Sequence, residues 1–424
     1  MLAVVLVLLL QLQDGIASVA FSLLNPTTAL TVFALIILLG MWRLIAMVDA
    51  MLAVGRGRAW RRTSTLATFG ALALVVVVVH AAGASLAWSA YRAGSVIFVG
   101  DNGPDGSPPP GSSLAPGENP GSSSGPRPTP ETADSRVTVL LTGIDSSETR
   151  NHALTDTLLV VSADPLTGKV AMVSFPRDIA RFELTSGKTF RGKINSLMSY
   201  ADRNPDEFPD GGLAALTQEL GYLLGIPIHY YAAVDLAGFA RMIDRVDGVT
   251  INNPTAINDA SYGGWTDGRP PGFQLGIGSH TLAGQEALAY VRSRQGSSDF
   301  ARARRQQQLL IALQRKLTDP AMLPNLPGIL MDASDTVRTD FPVDQLSNMV
   351  DLAARVDDDA GIERVVLDSP YSNHPPTSST GGTYILKLDM AKVQELSVSL
   401  FGDDSRYYVA PTPGASPSGS PAAP

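Results

Sequence analysis

Two long apolar runs near the N-terminus constrain this chain more than any other feature. Thr27 to Val48 reads TTALTVFALIILLGMWRLIAMV and carries one charge, Arg43, close to its end. Ser64 to Tyr91 reads STLATFGALALVVVVVHAAGASLAWSAY, with no acidic or basic side chain except His80. A helix needs about 20 apolar residues to cross a hydrocarbon core of about 30 Å, and both runs are long enough. The alternative is a buried helical hairpin in a soluble protein. Met1 to Leu24 is also apolar, but Gln11, Gln13 and Asp14 interrupt it. It reads as a third span with a polar kink or as the remnant of a longer one; no basic n-region or cleavage site marks a cleaved signal peptide. The loop between the strong runs holds Arg56, Arg58, Arg61 and Arg62. Basic loops stay cytoplasmic, so everything after Tyr91 is expected outside. Residues 1–92 are thus expected to form a multi-pass region of the cell membrane, in contact with lipid.

Composition narrows the chemistry. The net charge of −8 excludes a whole-chain polyanion-binding footprint, and no nucleic-acid partner is expected. The absence of Cys excludes disulfides, thiol catalysis and iron–sulfur clusters, and five scattered His leave little for a soft metal. Any metal is expected to be hard and held by oxygen. Residues 93–135 read as a disordered tether, because the Pro, Gly and Ser of Asp101 to Asp134 cannot bury a core. Fully extended, that stretch would reach on the order of 100 Å. Its GSSSG string, Gly121 to Gly125, matches G-x-S-x-G but lacks a strand–turn–helix setting. Residues 404–424 read as an unstructured tail.

What lies between, 136–403, reads as one α/β domain. Strand-like runs are VTVLLTG (137–143), DTLLVVSA (156–163) and KVAMVSF (169–175). Helical patterns cover 212–225, 235–246, 284–294, 300–317 and 343–356. Interleaving of this kind predicts a mixed sheet with helices on both faces. The connection 145–155 is short and polar, and Asp164-Pro-Leu-Thr-Gly-Lys169 is a turn signal. If both join antiparallel neighbours, Asp145, Asp156 and Arg177 meet at one edge. Read singly, they are a turn former, a strand-end residue and half of a surface pair.

A second constellation is denser. In YVRSRQGSSDFARARRQ, Arg292 and Arg294 end one helix and Asp299 caps the next. There Arg302, Arg305 and Gln306 share a face, while Leu309, Leu310, Leu313 and Leu317 are expected to form the buried stripe. Several guanidinium forks in one region suit phosphate oxygens, and a solvated basic face is the competing reading.

In order along the chain, LLTGIDSS, the aspartate of TDTLLVV, SFPRD, KIN, DLAGFARMIDRVDGV and LAYVRSR…DFARARRQQ resemble the LytR-CpsA-Psr family over about 136–402. The resemblance implies a Mg²⁺-dependent phosphotransferase, with Mn²⁺ as an alternative ion. Such enzymes move a teichoic acid, capsule or arabinogalactan-type polymer from a polyprenyl-pyrophosphate carrier onto peptidoglycan. Asp145 and Asp156 match the carboxylates that hold the metal against the pyrophosphate. Arg177 matches an arginine on the same group; Arg292, Arg294, Arg302 and Gln306 match the rest of the clamp. Asp299 matches the acidic residue before it, and Asp299 and Asp178 are the candidates for general base. Helices around 197–242 suit either the lining of an isoprenoid slot or core. Two positions depart from the pattern: Leu154 stands where the family usually has Arg, and Asp247-Gly248-Val249 where it favours Gly-Gly-Val. The same site would serve a prenyl-pyrophosphate phosphatase with water as acceptor, and Leu154 leaves a catalytically weak wall-binding scaffold as a further alternative.

Overall fold

The structure, a computed structural model, describes residues 22–55, 63–98, 130, 135–145, 154–294, 298–317, 319–345 and 361–409. Both strong apolar runs are helices, α1 (Pro26–Gly55) and α2 (Thr63–Ile97), and each is long and apolar enough to cross a membrane. Their Leu, Ile and Val side chains are exposed over most of that length, the reverse of a buried hairpin in a soluble core. Asn25 caps α1, its Oδ1 accepting the Thr27 and Thr28 amides at 3.0 and 3.3 Å. Helix α2 runs on to Ile97, so residues 93–97, expected in the tether, are helical. The candidate span 1–21, the arginine loop 56–62, most of the tether and the tail from 410 lie outside the described residues.

The first three strands are β1 (Val137–Asp145), β2 (Leu154–Ala163) and β3 (Val170–Ser174), antiparallel as expected. They are followed by β4 (Ala180–Glu183), β5 (Thr189–Lys193), α3 (Leu197–Asp202), α4 (Gly211–Leu224), β6 (Tyr230–Asp235) and α5 (Leu236–Arg245). Then come β7 (Val249–Asn253), β8 (Ile257–Asp259), β9 (Phe273–Leu275), β10 (Gly278–Leu282), α6 (Gly284–Arg292), α7 (Asp299–Leu317) and α8 (Leu326–Thr336). The chain closes with β11 (Val337–Thr339), β12 (Ile362–Val366), β13 (Ser372–Asn373), β14 (Lys387–Leu388) and α9 (Met390–Phe401). The main sheet has the order β11-β6-β1-β2-β3-β12. Strand β6 is parallel to β1 and β12 to β3, so the sheet is mixed.

Strand alternation decides which face is which. Leu140, Val160 and Val173 pair across three strands and point into the main core with buried residues of α4 and α9. Ser174, one residue on from Val173, faces the other way, where it meets Gln307 of α7. Helices therefore cover both faces. A second core gathers Ile243 of α5, Val249 and Ile251 of β7, α6, and Leu309 and Leu313 of α7.

Two sequence expectations change. Leu317 is exposed and Leu310 half-buried, because the buried stripe of α7 runs through Arg302, Arg305, Leu309 and Leu313 before the helix passes the second core. Of the helix expected over 343–356, the described part is a single 3₁₀ turn, Val343–Gln345; the remainder lies outside the described residues.

Candidate active site

The register of β1 and β2 puts Asp145 opposite Leu154 and Ile144 opposite Thr155, while Gly143 pairs with Thr157. Asp156 is the extra residue of that bulge, so it and Asp145 occupy the same end of adjacent strands. Bulges are common beside active sites because they break the strict in–out alternation of a strand. Strand β3 ends at the same edge, and Phe175-Pro176 carries the chain to Arg177. The next segment is tied down from several sides. Ile194 donates to the Ile179 carbonyl at 2.7 Å and Leu386 to that of Asp178 at 2.8 Å. The hydroxyl of Thr155, beside Asp156, donates to the Asn195 carbonyl at 3.2 Å. The KIN segment (193–195) is thereby laced to the end of SFPRD and to the start of β2.

Charged side chains from β5, α7 and the segment after β3 converge near this edge. Arg177 Nε lies 3.5 Å from an Asp299 oxygen and 3.7 Å from Asp178. Lys193 Nζ donates to Asp178, and Arg302 Nη1 lies 3.0 Å from Asp299. Arg177 and Asp299 are 122 positions apart, and the start of α7 at the sheet edge brings them together. The two carboxyls also bond to each other, which one proton between them permits. Burial pushes Asp178 up, but the bond from Asp299 and the charges of Lys193 and Arg177 outweigh it and leave it below the ordinary carboxylate value. Burial and the neighbouring Asp178 push Asp299 above that value, against the pull of Arg302 and Arg177.

The other basic residues divide by role. Arg305 is buried, and its Nε and Nη2 donate to the carbonyls of Tyr290 and Ser293 at 2.7 and 2.6 Å. It closes the C-terminus of α6, a favourable end for a cation. Ser293 is thus held one helical turn along from Arg302, with Arg292 and Arg294 on either side. Arg292 is half-buried near Tyr262, whose hydroxyl burial raises despite that guanidinium. Arg294 is exposed, and its amide donates to Asp259 at 3.0 Å. Gln306 is half-buried, one turn after Arg302. Arg304 points away and pairs with Asp368.

Three contributors carry no sequence signal that singles them out. Asp259, buried on β8, accepts from the Ser293 hydroxyl at 2.9 Å as well as from the Arg294 amide, fixing the exit from α6. Tyr384, beyond β13, lies within electrostatic range of the carboxyl pair: burial raises its hydroxyl first, and the charges of Asp178 and Asp299 raise it further. Lys193 lies within KIN, but only the fold shows it against Asp178.

Comparison with known proteins agrees with this architecture. The chain is 29% identical over 215 residues to the polyisoprenyl-teichoic acid–peptidoglycan teichoic acid transferase TagU of Halalkalibacterium halodurans, covering 50% of this chain and 63% of TagU. It is 32% identical over 212 residues to the regulatory protein MsrR of Staphylococcus aureus, covering 49% of this chain and 58% of MsrR. The matched region thus spans less than two thirds of either relative. The crystal structure of B. subtilis TagV is similar at 25% identity and a TM-score of 0.50, over 63% of this chain and 96% of that one. A family profile matches residues 118–402, well over half of the 424. With motifs, fold and profile in agreement, the chain belongs to the LytR_cpsA_psr family.

Proposed function

We propose that the domain transfers a glycopolymer from a polyprenyl-pyrophosphate carrier to peptidoglycan at the outer face of the membrane. The observation that carries this reading is the cluster of Arg177, Lys193 and Arg302 around the Asp178–Asp299 pair, at the edge where Asp145 and Asp156 end their strands. The likeness to TagU supports the substrate class.

Two carboxylates on adjacent strand ends suit Mg²⁺, which takes one or two protein carboxylates and fills its shell with phosphate oxygens and water. Bound there, the ion would neutralise charge on the pyrophosphate oxygens. The protein's own groups account for the remaining steps. Arg177, Arg302 and, across the α6–α7 turn, Arg292 and Arg294 grip the pyrophosphate and stabilise the charge that grows on the departing prenyl phosphate. Gln306 positions one of its oxygens. The acceptor hydroxyl forms a new P–O bond to the polymer-linked phosphorus as the bond to prenyl phosphate breaks. Its proton passes to Asp299, whose raised proton affinity suits a base.

The test uses full-length protein in liposomes with a prenyl-pyrophosphate-linked glycan and peptidoglycan. Polymer joined to peptidoglycan by a phosphodiester is expected, with D145A and D156A losing at least about 100-fold while remaining folded, the scale of about 3 kcal/mol. Free phosphorylated glycan as sole product would make the protein a phosphatase. Near-normal turnover in either variant at saturating Mg²⁺ would remove that residue from the site.

A further inference from the structure

Helix α2 does more than anchor. Ala84, Ala87, Ala90, Ala93 and Ile97 recur every three or four residues and are all buried. Ala90, Ala93 and Ile97 belong to a small third core with Leu24 and Val343, against which Leu330, Ala333 and Val337 pack. A Cβ at Gly94 would lie 1.7 Å from the Leu24 carbonyl oxygen, so the turn before α1 also rests on this stretch. Past the helix, Phe98 forms a parallel bridge to Thr339 of the edge strand β11. The end of the second apolar helix is therefore built into the domain.

The direction of that contact orients the domain. Strand β11 is antiparallel to β6, and β6 is parallel to β1, so β11 runs away from the edge that carries Asp145 and Arg177. Phe98 runs the same way. Helix α5 leaves that edge and α8 returns to it, the two running antiparallel. A Cβ at Gly238, at the start of α5, would meet Thr336 at 2.2 Å, while Gly328 lies against Arg245 at the far end. The stretch Ala84 to Ile97 lies along α8 and arrives at the sheet from the site side. At 1.5 Å per residue, this docked stretch is about 20 Å long.

The intervening chain is no spacer. Phe98 and Val137 are joined by residues 99–136, yet both belong to the main sheet, three strand spacings apart with a four-residue offset along the strands. That is about 20 Å, against the roughly 100 Å the segment would span if extended. We propose that the docked end of α2 holds the catalytic edge toward the outer leaflet, so that the domain presents this edge as a lipid-facing surface and the 99–134 segment sets neither height nor orientation. This rests on the reading that α1 and α2 span a bilayer, and co-flotation with liposomes tests that reading separately.

The chain has no cysteine, so one introduced thiol is a unique label site. Arg304 lies at the catalytic edge beside Asp368, and Leu166 is exposed in the β2–β3 turn at the opposite edge. Nine residues of β1 separate the edges by about 30 Å. Energy transfer from dyes on R304C and L166C to an acceptor at the bilayer surface should place the first about 20–30 Å nearer. Deleting 101–129 leaves nine residues between Phe98 and Val137, enough for about 30 Å, and should change neither distance. A93E, which puts a charge into the docked face, should make the two distances converge. Equal or reversed distances in the otherwise unaltered chain, a shift on deletion, or an undiminished difference in folded A93E would each overturn the proposal. Should A93E fail to fold, the first two measurements decide it.

Discussion

Arg302 and Arg304 stand two positions apart on α7 with opposite surroundings. Arg302 is 5% exposed and holds Asp299, whereas the Arg304 side chain is 58% exposed and pairs with Asp368. A charge-assisted hydrogen bond lost from a desolvated site costs roughly 1.5–3 kcal/mol, about 10- to 150-fold in rate. R302A should show that loss in turnover of a prenyl-pyrophosphate donor, and R302K should recover part of it, keeping charge without the two-pronged fork. R304A should stay within about twofold; equal losses in R302A and R304A would refute the clamp. The sequence reads this basic run either as a clamp or as a solvated face. Within that run Arg302 is buried and Arg294 exposed, while Arg305 turns onto the carbonyls of α6. A departure from the family pattern is explained at this scale as well. Asp247 has φ +59°, a left-handed conformation in which Gly is unstrained and Asp is among the better-tolerated replacements.

The connection from α6 to α7 depends on a residue from outside both helices. Asp259 of β8 accepts from Ser293 and from the Arg294 amide, and Ser293 is fully buried. D259A would leave two buried or half-buried donors unpaired, at about 1–3 kcal/mol each. Urea unfolding should show a loss of at least about 2 kcal/mol, and turnover should fall because Arg292 and Arg294 lose their anchor. D259N, which retains an acceptor oxygen, should lose less of both. A D259A protein of unchanged stability and turnover would contradict this role. Elements with strong local signals are legible in the sequence: β1 to β3 as apolar runs with the Asp164–Lys169 turn, α5 as a helical pattern, α7 through its spacing. Strands β8, β11 and β12 are not, because three to five residues with mixed polarity owe their conformation to neighbours far along the chain. Asp259 carries no local signal for the same reason.

Across the whole molecule, the edge opposite the site carries its own pH dependence. His229 is buried at the start of β6, where its Nδ1 accepts the Thr138 amide at 3.0 Å. Burial lowers its proton affinity more than the charge of Asp404 raises it. As pH falls through the ordinary value of 6.5, the unfolded chain takes up a proton that the folded chain refuses. Stability is therefore complete above 6.5 and declines below it until the depressed folded value is reached. Chemical denaturation between pH 7.5 and 5.5 should show this slope, and H229Q should remove it; an unchanged slope would clear His229. The site itself lies where two cores meet. Arg177, Asp178 and Lys193 stand on the main core, whereas Arg292 and Arg294 leave α6 in the second. Helix α7 crosses the join, with Gln307 bonded to Ser174 and the Val365 carbonyl on one side and Leu309 and Leu313 packed on the other. Under the proposed function, a pyrophosphate gripped by arginines from both sides would act as a clasp across that join. Donor affinity and the cohesion of the two halves then become a single linked equilibrium, in which each tightens the other.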